Sequence, residues 1–331
     1  MLNITSERLR EIRNNFAGKK IAVIGDLMLD GYYWGVVNRI SPEAPVPVID
    51  VDEEFFRFGG AANVALNLQS LGAVPLPVGV VGNDNQATIF NSLMEEAGIS
   101  TSCIVVDESR PTTTKTRVIG GNQHIVRIDK ENKNYISAEI EEKLLANIKN
   151  NISGLDAIII EDYNKGVLTA KIISETIRMA NENNIIITVD PKFNNFFEYK
   201  NTTVFKPNKK ETQDGLGIRL ETAEDVTSAG KELYEKLGAK YILITLGEKG
   251  VALFEEGKQT NHIPTKARKV RDVSGAGDTV ISTLTLALTA GAEIFEAAYL
   301  ANYAGGLVCE EVGIVPIELE KLFKAVENVN E

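Results

Sequence analysis

The chain has 331 residues, a formal net charge of −11, two cysteines and two histidines, and its length suits one large domain or two smaller ones. The negative charge argues against a broad nucleic-acid or anionic-membrane surface, so binding of a phosphorylated ligand requires a local cluster of positive groups. Two cysteines make no disulfide framework, the separated histidines match no metal or triad pattern, and no apolar run suits a signal core or membrane span, so we expect a cytoplasmic enzyme.

The first part of the chain alternates short apolar runs with two stretches rich in aromatic and β-branched residues. A polar N-terminal helix precedes a buried strand over 21–24, and a helix over 64–71, a strand over 74–81 and a helix over 87–97 follow. The β-rich stretches cover about 31–58 and 111–129, and the second contains the hairpin turn Gly120-Gly121-Asn122. We expect them to pair into one small β-sheet that forms a lid on a single domain spanning residues 1–331.

From residue 137 onward the pattern is regular. Helices over 137–149, 169–181 and 223–237 alternate with apolar strands over 157–160, 185–189, 203–205 and 241–245. A hairpin over 251–263 and helices over 279–290, 293–308 and 317–326 complete the chain. This alternation predicts an α/β fold, a three-layer αβα sandwich with a mostly parallel central sheet.

Polar residues follow six of the predicted strands. Because ligands of open α/β sheets bind beyond the carboxyl ends of the strands, these residues are candidates for a site. They are Asp26, Asp30, Glu161, Asp162, Lys165, Asp190, Lys192, Lys206, Asn208, Glu211, Thr245, Gly247 and the stretch 272–278. Taken singly, each is better explained as a capping or solvated loop residue.

The stretch Asp272-Val273-Ser274-Gly275-Ala276-Gly277-Asp278 leads into a small, apolar helix. Glycines let backbone amides approach a ligand closely, and a helix N-terminus favours an anion. A carboxylate beside an anion site suits a proton acceptor, so the pattern indicates phosphoryl transfer to a hydroxyl. A tight turn with an acidic residue in the first helical turn explains these residues equally well.

Two glycine signatures make the chain resemble the ribokinase, or phosphofructokinase-B, family of sugar kinases along almost its whole length. They are Gly59-Gly60-Ala61-Ala62-Asn63-Val64-Ala65 and the stretch 272–278. The sequence Arg39-Ile40-Ser41-Pro42-Glu43-Ala44-Pro45-Val46-Pro47-Val48, with the motifs at 25–30, 162–166 and 190–192, is similar to members that phosphorylate D-glycero-β-D-manno-heptose 7-phosphate. The resemblance implies a ribokinase-like fold and transfer of phosphate from ATP to the anomeric hydroxyl, in ADP-heptose and lipopolysaccharide precursor synthesis.

The resemblance also implies roles for single residues. Asp278 matches the base that deprotonates the acceptor hydroxyl, and Gly275, Ala276 and Gly277 match the anion hole. Glu211 matches the residue that holds Mg²⁺ through water, and K⁺ is an optional ion at the loop around Asp272. The implied ATP-binding residues are Asn208, Glu211, Thr245, Gly247, Gly250, Ser274 and Asn302.

The sugar and its 7-phosphate need their own residues. The expected substrate-binding set is Asp30, Arg39, Gly59, Gly60, Asn63, Lys115, Arg117, Arg127, Asp162, Lys165 and Lys192. Lys165 and Lys192 rank highest, because they belong to the selective motifs. Arg127 and Lys115 are equally explained as solvent-facing residues of lid strands, and Arg39 as a partner of Glu43.

The chain departs from the family pattern at three points. Ser274 stands where Thr is common, and Glu161 replaces a small residue before Asp162. No nucleotidyltransferase motif of the His-x-Gly-His type follows the last helix, so we expect a stand-alone kinase.

The same residues are compatible with other functions. The same chemistry suits fructose, a hexose phosphate or a nucleoside as acceptor, and a non-catalytic sugar or nucleotide sensor would use the same fold. A dehydrogenase is less favoured, because no GxGxxG follows the first strand. The lid segment 46–51 carries apolar residues that a small lid cannot bury alone, which predicts a homodimer through the lid, with no nucleic-acid or membrane partner.

Overall fold

The computed structural model describes residues 4–121, 123–258, 260–265, 270–311 and 313–330. Its strands are β1 (Lys20–Gly25), β2 (Leu27–Ile40), β3 (Pro47–Gly60), β4 (Val74–Val81), β5 (Ile104–Val106), β6 (Thr113–Gly120), β7 (Gln123–Lys130), β8 (Ala157–Glu161), β9 (Ile186–Asp190), β10 (Val204–Phe205), β11 (Tyr241–Thr245), β12 (Val251–Glu255) and β13 (Asn261–Ile263). Its helices are α1 (Ser6–Asn14), α2 (Ala61–Ser70), α3 (Asn85–Glu96), α4 (Ala138–Asn151), α5 (Ala170–Glu182), α6 (Lys209–Leu216), α7 (Ala223–Leu237), α8 (Ala276–Thr289), α9 (Ile294–Val308) and α10 (Leu319–Asn330). Within the described ranges, no helix has the length and apolar character needed to cross a membrane.

The main sheet has nine strands in the order β13-β12-β11-β10-β9-β8-β1-β4-β5. The strands from β11 to β5 pair in parallel, while β12 and β13 form an antiparallel edge. The carboxyl ends of β1, β8, β9, β10 and β11 therefore meet along one edge, where the polar residues singled out in the sequence follow.

Two hydrophobic cores cover the two faces of the main sheet. Ile21 and Val23 of β1 belong to one core, with residues of α1, α2, α3, α8, α9 and α10. Ala22 and Ile24 belong to the other, with residues of α4, α5 and α7. Burial on both faces explains why the strand sequences are continuous apolar runs, and the predicted αβα sandwich is confirmed.

The two β-rich stretches form a separate four-stranded sheet in the order β3-β2-β6-β7. Each stretch is an antiparallel hairpin, as predicted, but β2 and β6 pair in parallel. The parallel junction arises because both strands leave the main sheet from the carboxyl ends of parallel strands, β1 and β5. A small additional sheet is thus confirmed, whereas its action as a lid remains a prediction.

Several boundaries differ from the sequence-based ones. The strands β2 and β3 have 14 residues each and extend beyond the predicted segments. The three-residue strand β5 was not predicted, because so short a run shows no period. Asn122 of the predicted hairpin turn lies outside the described residues.

Both glycine signatures lead directly into helices. Gly60 precedes α2 with a φ of 57°, and Gly275 precedes α8 with a φ of 78°. A Cβ atom at Gly60 would lie 2.4 Å from the carbonyl oxygen of Asp26, so the close packing there excludes a side chain. Each helix begins three residues earlier than predicted, and Asp278 consequently lies in the first turn of α8.

A buried ion pair fixes the loops at the edge of the main sheet. Arg110 donates from Nε to Asp107 at 3.0 Å and from its terminal nitrogens to the carbonyl oxygens of Lys165 (3.0 Å) and Asn134 (2.8 Å). Losing one partner of such a pair leaves a buried charge and carbonyl groups unpaired, at about 3–5 kcal/mol. The loop that carries Lys165 is therefore held firmly.

Candidate active site

Asp278 lies buried at the N-terminus of α8 and connects three distant parts of the chain. Its Oδ1 atom accepts a hydrogen bond from the Tyr163 hydroxyl at 2.9 Å, and its Oδ2 atom accepts one from Asn63 Nδ2 at 2.7 Å. Burial raises the pKa of Asp278 to about 6, with the charge of Asp190 adding to the rise and the two hydrogen bonds opposing it. A carboxylate with such a pKa accepts a proton readily near neutral pH.

A clamp formed by Asp26 sets the position of Tyr163. The Asp26 carboxylate accepts the backbone N–H groups of Tyr163 (2.8 Å), Lys165 (3.0 Å) and Val167 (3.3 Å). Burial, followed by the charge of Asp162, raises the pKa of Asp26 to about 6. Asp26, a strand-end candidate in the sequence, thus shapes the loop after β8.

Carboxylates and ammonium groups alternate beside Asp278. Lys206 Nζ lies 2.7 Å from Asp190, and Lys192 Nζ lies 2.6 Å from Glu211 and 3.4 Å from Asp190. Burial raises the pKa of Asp190, but the charges of Lys192 and Lys206 outweigh it and hold this pKa below its usual value. Lys192, expected to bind the sugar phosphate, already has two carboxylate partners.

The predicted Asn208-x-x-Glu211 element begins α6 as a reciprocal cap. Asn208 Oδ1 accepts the Glu211 N–H at 2.8 Å, and Glu211 Oε2 accepts the Asn208 N–H at 2.7 Å. The second Glu211 oxygen accepts a hydrogen bond from Lys192 Nζ. The cap therefore holds the Glu211 carboxylate at the edge of the sheet next to Asp190.

Most of the predicted ATP-binding residues line one cleft of about 590 Å³ beside α8. These are Thr245, Gly247, Gly250 and Asn302, together with Ala276 and Gly277 of the expected anion hole. Asn302 is fixed there by donating to the carbonyl oxygen of Pro264 at 2.9 Å. The structure places Ser274 elsewhere, in a cleft of about 420 Å³ between the small sheet and the loop before α8.

On the other side of Asp278, the small sheet brings several expected sugar-binding residues together. Asp30 is buried and forms an ion pair with Arg117. A Cβ atom at Gly59 would lie 2.3 Å from Asp30 Oδ2, so this glycine makes room for the carboxylate. Asp30 pairs in register with Lys115 on β6, which places a cation beside it.

Lys115 and Lys192 both contact the Tyr163 ring. Their Nζ atoms lie 5.0 Å and 5.1 Å from its centroid. Burial lowers the pKa of Lys115, while the charge of Asp30 opposes this effect. Within the described ranges no carboxylate lies within ion-pair distance of Lys115, so its ammonium group has capacity for an anionic ligand.

Other expected substrate residues are engaged elsewhere. Asp162 is buried and accepts hydrogen bonds from the Tyr199 hydroxyl at 2.6 Å and the Asn164 N–H at 2.7 Å. Lys165 forms an ion pair with Glu131 at 2.7 Å, and Arg127 binds Asp129 through two nitrogens. The structure therefore does not bring these three side chains to Asp278 in this conformation.

Arg39 is exposed near the far end of β2. It lies nine residues along the strand from Asp30, which corresponds to about 30 Å. No ion pair between Arg39 and Glu43 is found in the described residues. The side chain thus lies remote from the Asp278 of its own chain.

The sequence assigned no role to the site residues Tyr163 and Lys206, nor to the strand-end residues Asp26 and Asp190. Tyr163 belongs to the quoted motif 162–166, and Lys206 follows a predicted strand. Position at a strand end was the signal for both. The contact of Tyr163 with Asp278 joins segments 115 residues apart, and the contact of Lys206 with Asp190 depends on the pairing of two neighbouring strands, so no local pattern specifies either contact.

A parallel sheet with a buried carboxylate at a glycine-led helix N-terminus, next to a cleft, defines a phosphotransferase site. Residues 18–320 match the model of the pfkB family carbohydrate kinases, so the chain belongs to this family. It is 41% identical over 318 residues to the bifunctional protein HldE of Pelobacter propionicus, covering 96% of this chain and 65% of the relative. It is 44% identical over 291 residues to the protein of the same name from Geobacter sulfurreducens, covering 88% and 59%. The chain thus spans less than two thirds of the length of these relatives.

Solved structures with low identity share the fold. A ribokinase from Arabidopsis thaliana, complexed with ribose and ATP, matches with a TM-score of 0.74 at 19% identity, covering 94% of this chain and 99% of the other. Phosphofructokinase-2 from Escherichia coli, in complex with potassium, matches with a TM-score of 0.76 at 18% identity, covering 95% and 100%. The ribokinase-like fold predicted from the sequence is confirmed.

We expect replacement of Tyr163 by Phe to raise the pKa of Asp278 above its value of about 6, because the hydroxyl stabilises the ionised carboxylate. Infrared or ¹³C NMR titration in metal-free buffer measures this, with Asp278→Asn identifying the signal. The pKa of Asp278 is higher in the folded protein than its ordinary value of 3.8. The carboxyl group therefore contributes to the free energy of unfolding below about pH 4, and this contribution is lost as the pH rises through 6. Tyr135→Phe, which removes a hydroxyl bonded to Asn195, is the matched control. A lowered pKa in Tyr163→Phe contradicts this role of the hydroxyl.

Proposed function

We propose that the protein transfers the γ-phosphoryl group of ATP to the anomeric hydroxyl of D-glycero-β-D-manno-heptose 7-phosphate, giving the 1,7-bisphosphate for ADP-heptose synthesis in the cytoplasm. The observation that carries the proposal is the position of Asp278. Ala276 and Gly277, directly before this buried carboxylate, line the cleft beside α8, and its partner Tyr163 contacts Lys115, which pairs in register with Asp30. The motifs at 39–48, 162–166 and 190–192 and the likeness to HldE proteins support the heptose as acceptor.

In the proposed reaction Asp278 removes the proton from the acceptor hydroxyl. The hydroxyl oxygen then bonds to the γ-phosphorus as the bond to the bridging oxygen breaks and ADP leaves. Tyr163 and Asn63 hold the carboxylate in place. The N-terminus of α8, with Gly275 to Gly277, supplies backbone N–H groups and a positive dipole end for the transferred group. Positioning and electrostatics supply most of the rate.

The acidic residues at the sheet edge fit a magnesium ion bound with ATP. Glu211 and Asn208 offer oxygen atoms, which Mg²⁺ prefers, and carboxylate oxygens have further acceptor capacity for metal-bound water. When bound, Mg²⁺ neutralises charge on the β- and γ-phosphates. The cap of α6 keeps Glu211 in place for this role.

A sensor without activity is the rival from another class. A sensor has no need for a buried carboxylate held by two hydrogen-bond donors, because such burial is unfavourable without a task for the group. The intact Asp278 environment therefore favours an enzyme. Another sugar phosphate as acceptor is the rival closest to the proposal, and the basic residues favour phosphorylated over plain sugars.

We expect ADP release with heptose 7-phosphate to exceed that with fructose, ribose, hexose phosphates and nucleosides in a coupled assay. Asp278→Asn should lower kcat by about 10²–10⁴-fold, because the general base is lost, while ATP binding stays intact. Asp214→Asn, at an exposed residue paired with Lys210, is the control and should keep full activity. Turnover with no member of the panel would favour the sensor.

We expect Lys115→Met to raise KM for the sugar phosphate by roughly tenfold to a hundredfold, since a charge-assisted hydrogen bond contributes about 1.5–3 kcal/mol. KM for the same sugar without its phosphate should not change. Arg127→Gln, on the neighbouring strand, removes a cation already bound to Asp129 and should have little effect. A phosphate-specific effect of Arg127→Gln alone would transfer the role to that residue.

We propose that two copies pair through the small sheet, as its exposed apolar residues support. Ile40, Val46, Val51 and Ile128 each expose half or more of their surface. Light scattering at micromolar concentration should give twice the chain mass of 36.2 kDa. Val51→Asp should yield monomers, whereas Val74→Asp, at an exposed residue of the main sheet, should not. A monomeric wild-type protein is the contradicting result.

A further inference from the structure

Three buried carboxylates meet behind the anion site. Glu161 ends β8, Asp190 ends β9, and Asp278 lies in the first turn of α8. One carboxylate oxygen from each lies within 4.8 Å of the other two. Glu161 and Asp190 pair in register on adjacent parallel strands, so their side chains leave the same face of the sheet at the same level. The sheet itself therefore creates this cluster.

Glu161 has no hydrogen-bond partner in the structure. The residue is fully buried, and neither of its side-chain oxygens accepts a hydrogen bond. A buried carboxylate without partners is strongly unfavourable, so such a group indicates either a bound proton or a ligand. Burial, followed by the charges of Asp190 and Asp278, raises the pKa of Glu161 well above its usual range, which reflects the same imbalance.

The nearby ammonium groups already form ion pairs with Asp190 and Glu211. Lys206 bonds to Asp190 at 2.7 Å, and Lys192 bridges Asp190 and Glu211. Neither forms an ion pair with Glu161 or Asp278 in the described part of the chain. The partners of Asp278 are the neutral groups of Asn63 and Tyr163. Negative charge on Glu161 and Asp278 is thus left without a direct cationic partner.

We propose that Glu161, Asp190 and Asp278 directly bind one divalent cation, distinct from the magnesium ion that Glu211 would hold with ATP. Oxygen-only ligands select a hard ion such as Mg²⁺ or Mn²⁺. Oxygens that share one ion at about 2.1–2.5 Å lie no more than about 5 Å apart, which the cluster satisfies. The ion would supply the missing positive charge and give one Glu161 oxygen a partner.

The resemblance to other sugar kinases gives Glu161 no such role, because a small residue is expected at this position. A small residue leaves Asp190 and Asp278 alone, two ligands instead of three. The inference rests on the proposed function only in placing Asp278 beside the transferred phosphoryl group, and its test needs neither nucleotide nor sugar.

The test titrates chelator-treated protein with Mn²⁺ and follows free Mn²⁺ by electron paramagnetic resonance, without nucleotide. We expect one site per chain, weakened on the order of tenfold or more in Glu161→Gln. Glu131→Gln, at a carboxylate bound to Lys165 and Lys133, and Glu211→Gln should both retain the site. Loss of binding in Glu211→Gln but not in Glu161→Gln would place the ion at the nucleotide site and overturn the proposal.

Thermal unfolding gives a second readout that also shows whether the variant folds. Without metal, Glu161→Gln should unfold at a higher temperature than the wild type near neutral pH, because the amide requires neither a buried charge nor the uptake of a proton. Mn²⁺ should raise the unfolding temperature of the wild type only, since binding to the folded state stabilises it. Equal responses of both proteins, or no Mn²⁺ binding by the wild type, would show that Glu161 carries a proton instead. Mn²⁺ binding without heptose phosphorylation would reject the proposed function and keep this inference.

Discussion

The burial of the Asp278 carboxylate between Tyr163 and Asn63 is the constraint on which the site depends. Its two partners lie 115 and 215 residues away in the chain, on the loop after β8 and on α2. A buried carboxylate needs donors for both oxygens, so α8, α2 and the β8 loop have to be in register before the site exists. Gly275 belongs to this arrangement, since a Cβ atom there would lie 3.0 Å from Asn63 Nδ2. The glycine signature and the asparagine of the other signature are therefore parts of one contact.

Residues that follow strands of the main sheet fix the loop that carries Tyr163, one of the two partners of Asp278. Asp26, directly after β1, fixes the backbone of the β8 loop through three N–H groups, and Arg110 holds the same loop through the Lys165 carbonyl group. The Tyr163 hydroxyl donates to Asp278, and the Tyr163 ring contacts the ammonium groups of Lys115 and Lys192. That ring contacts one cation from the small sheet and one from the main sheet. Movement of the small sheet would therefore alter the environment of Asp278 through Tyr163.

Charge is distributed unevenly around this centre. At the ends of β9 and β10, Lys192 and Lys206 are bound to Asp190 and Glu211, so their charge is balanced within the protein. On the small sheet, Lys115 has no carboxylate at ion-pair distance in the described residues, which suits the proposed binding of an anionic substrate. Glu161 lies between these regions without a partner. Beside Asp278 the described residues thus leave one ammonium group and one carboxylate without an ionic partner, an arrangement that suits the proposed phosphoryl transfer.

The sequence by itself determined the fold class, the family and the two glycine signatures, because periodicity and turn chemistry are local and survive in a single chain. It also predicted that ligands bind at the carboxyl ends of the strands. Only the tertiary structure decided which neighbouring side chain enters the site: Tyr163 reaches Asp278 while the adjacent Asp162 bonds to Tyr199. It likewise left Lys115 without a carboxylate at ion-pair distance in the described residues, bound Lys165 to Glu131 and placed Arg39 far along β2. These outcomes depend on burial and on partners that are distant in the chain, and the local pattern of residues specifies neither.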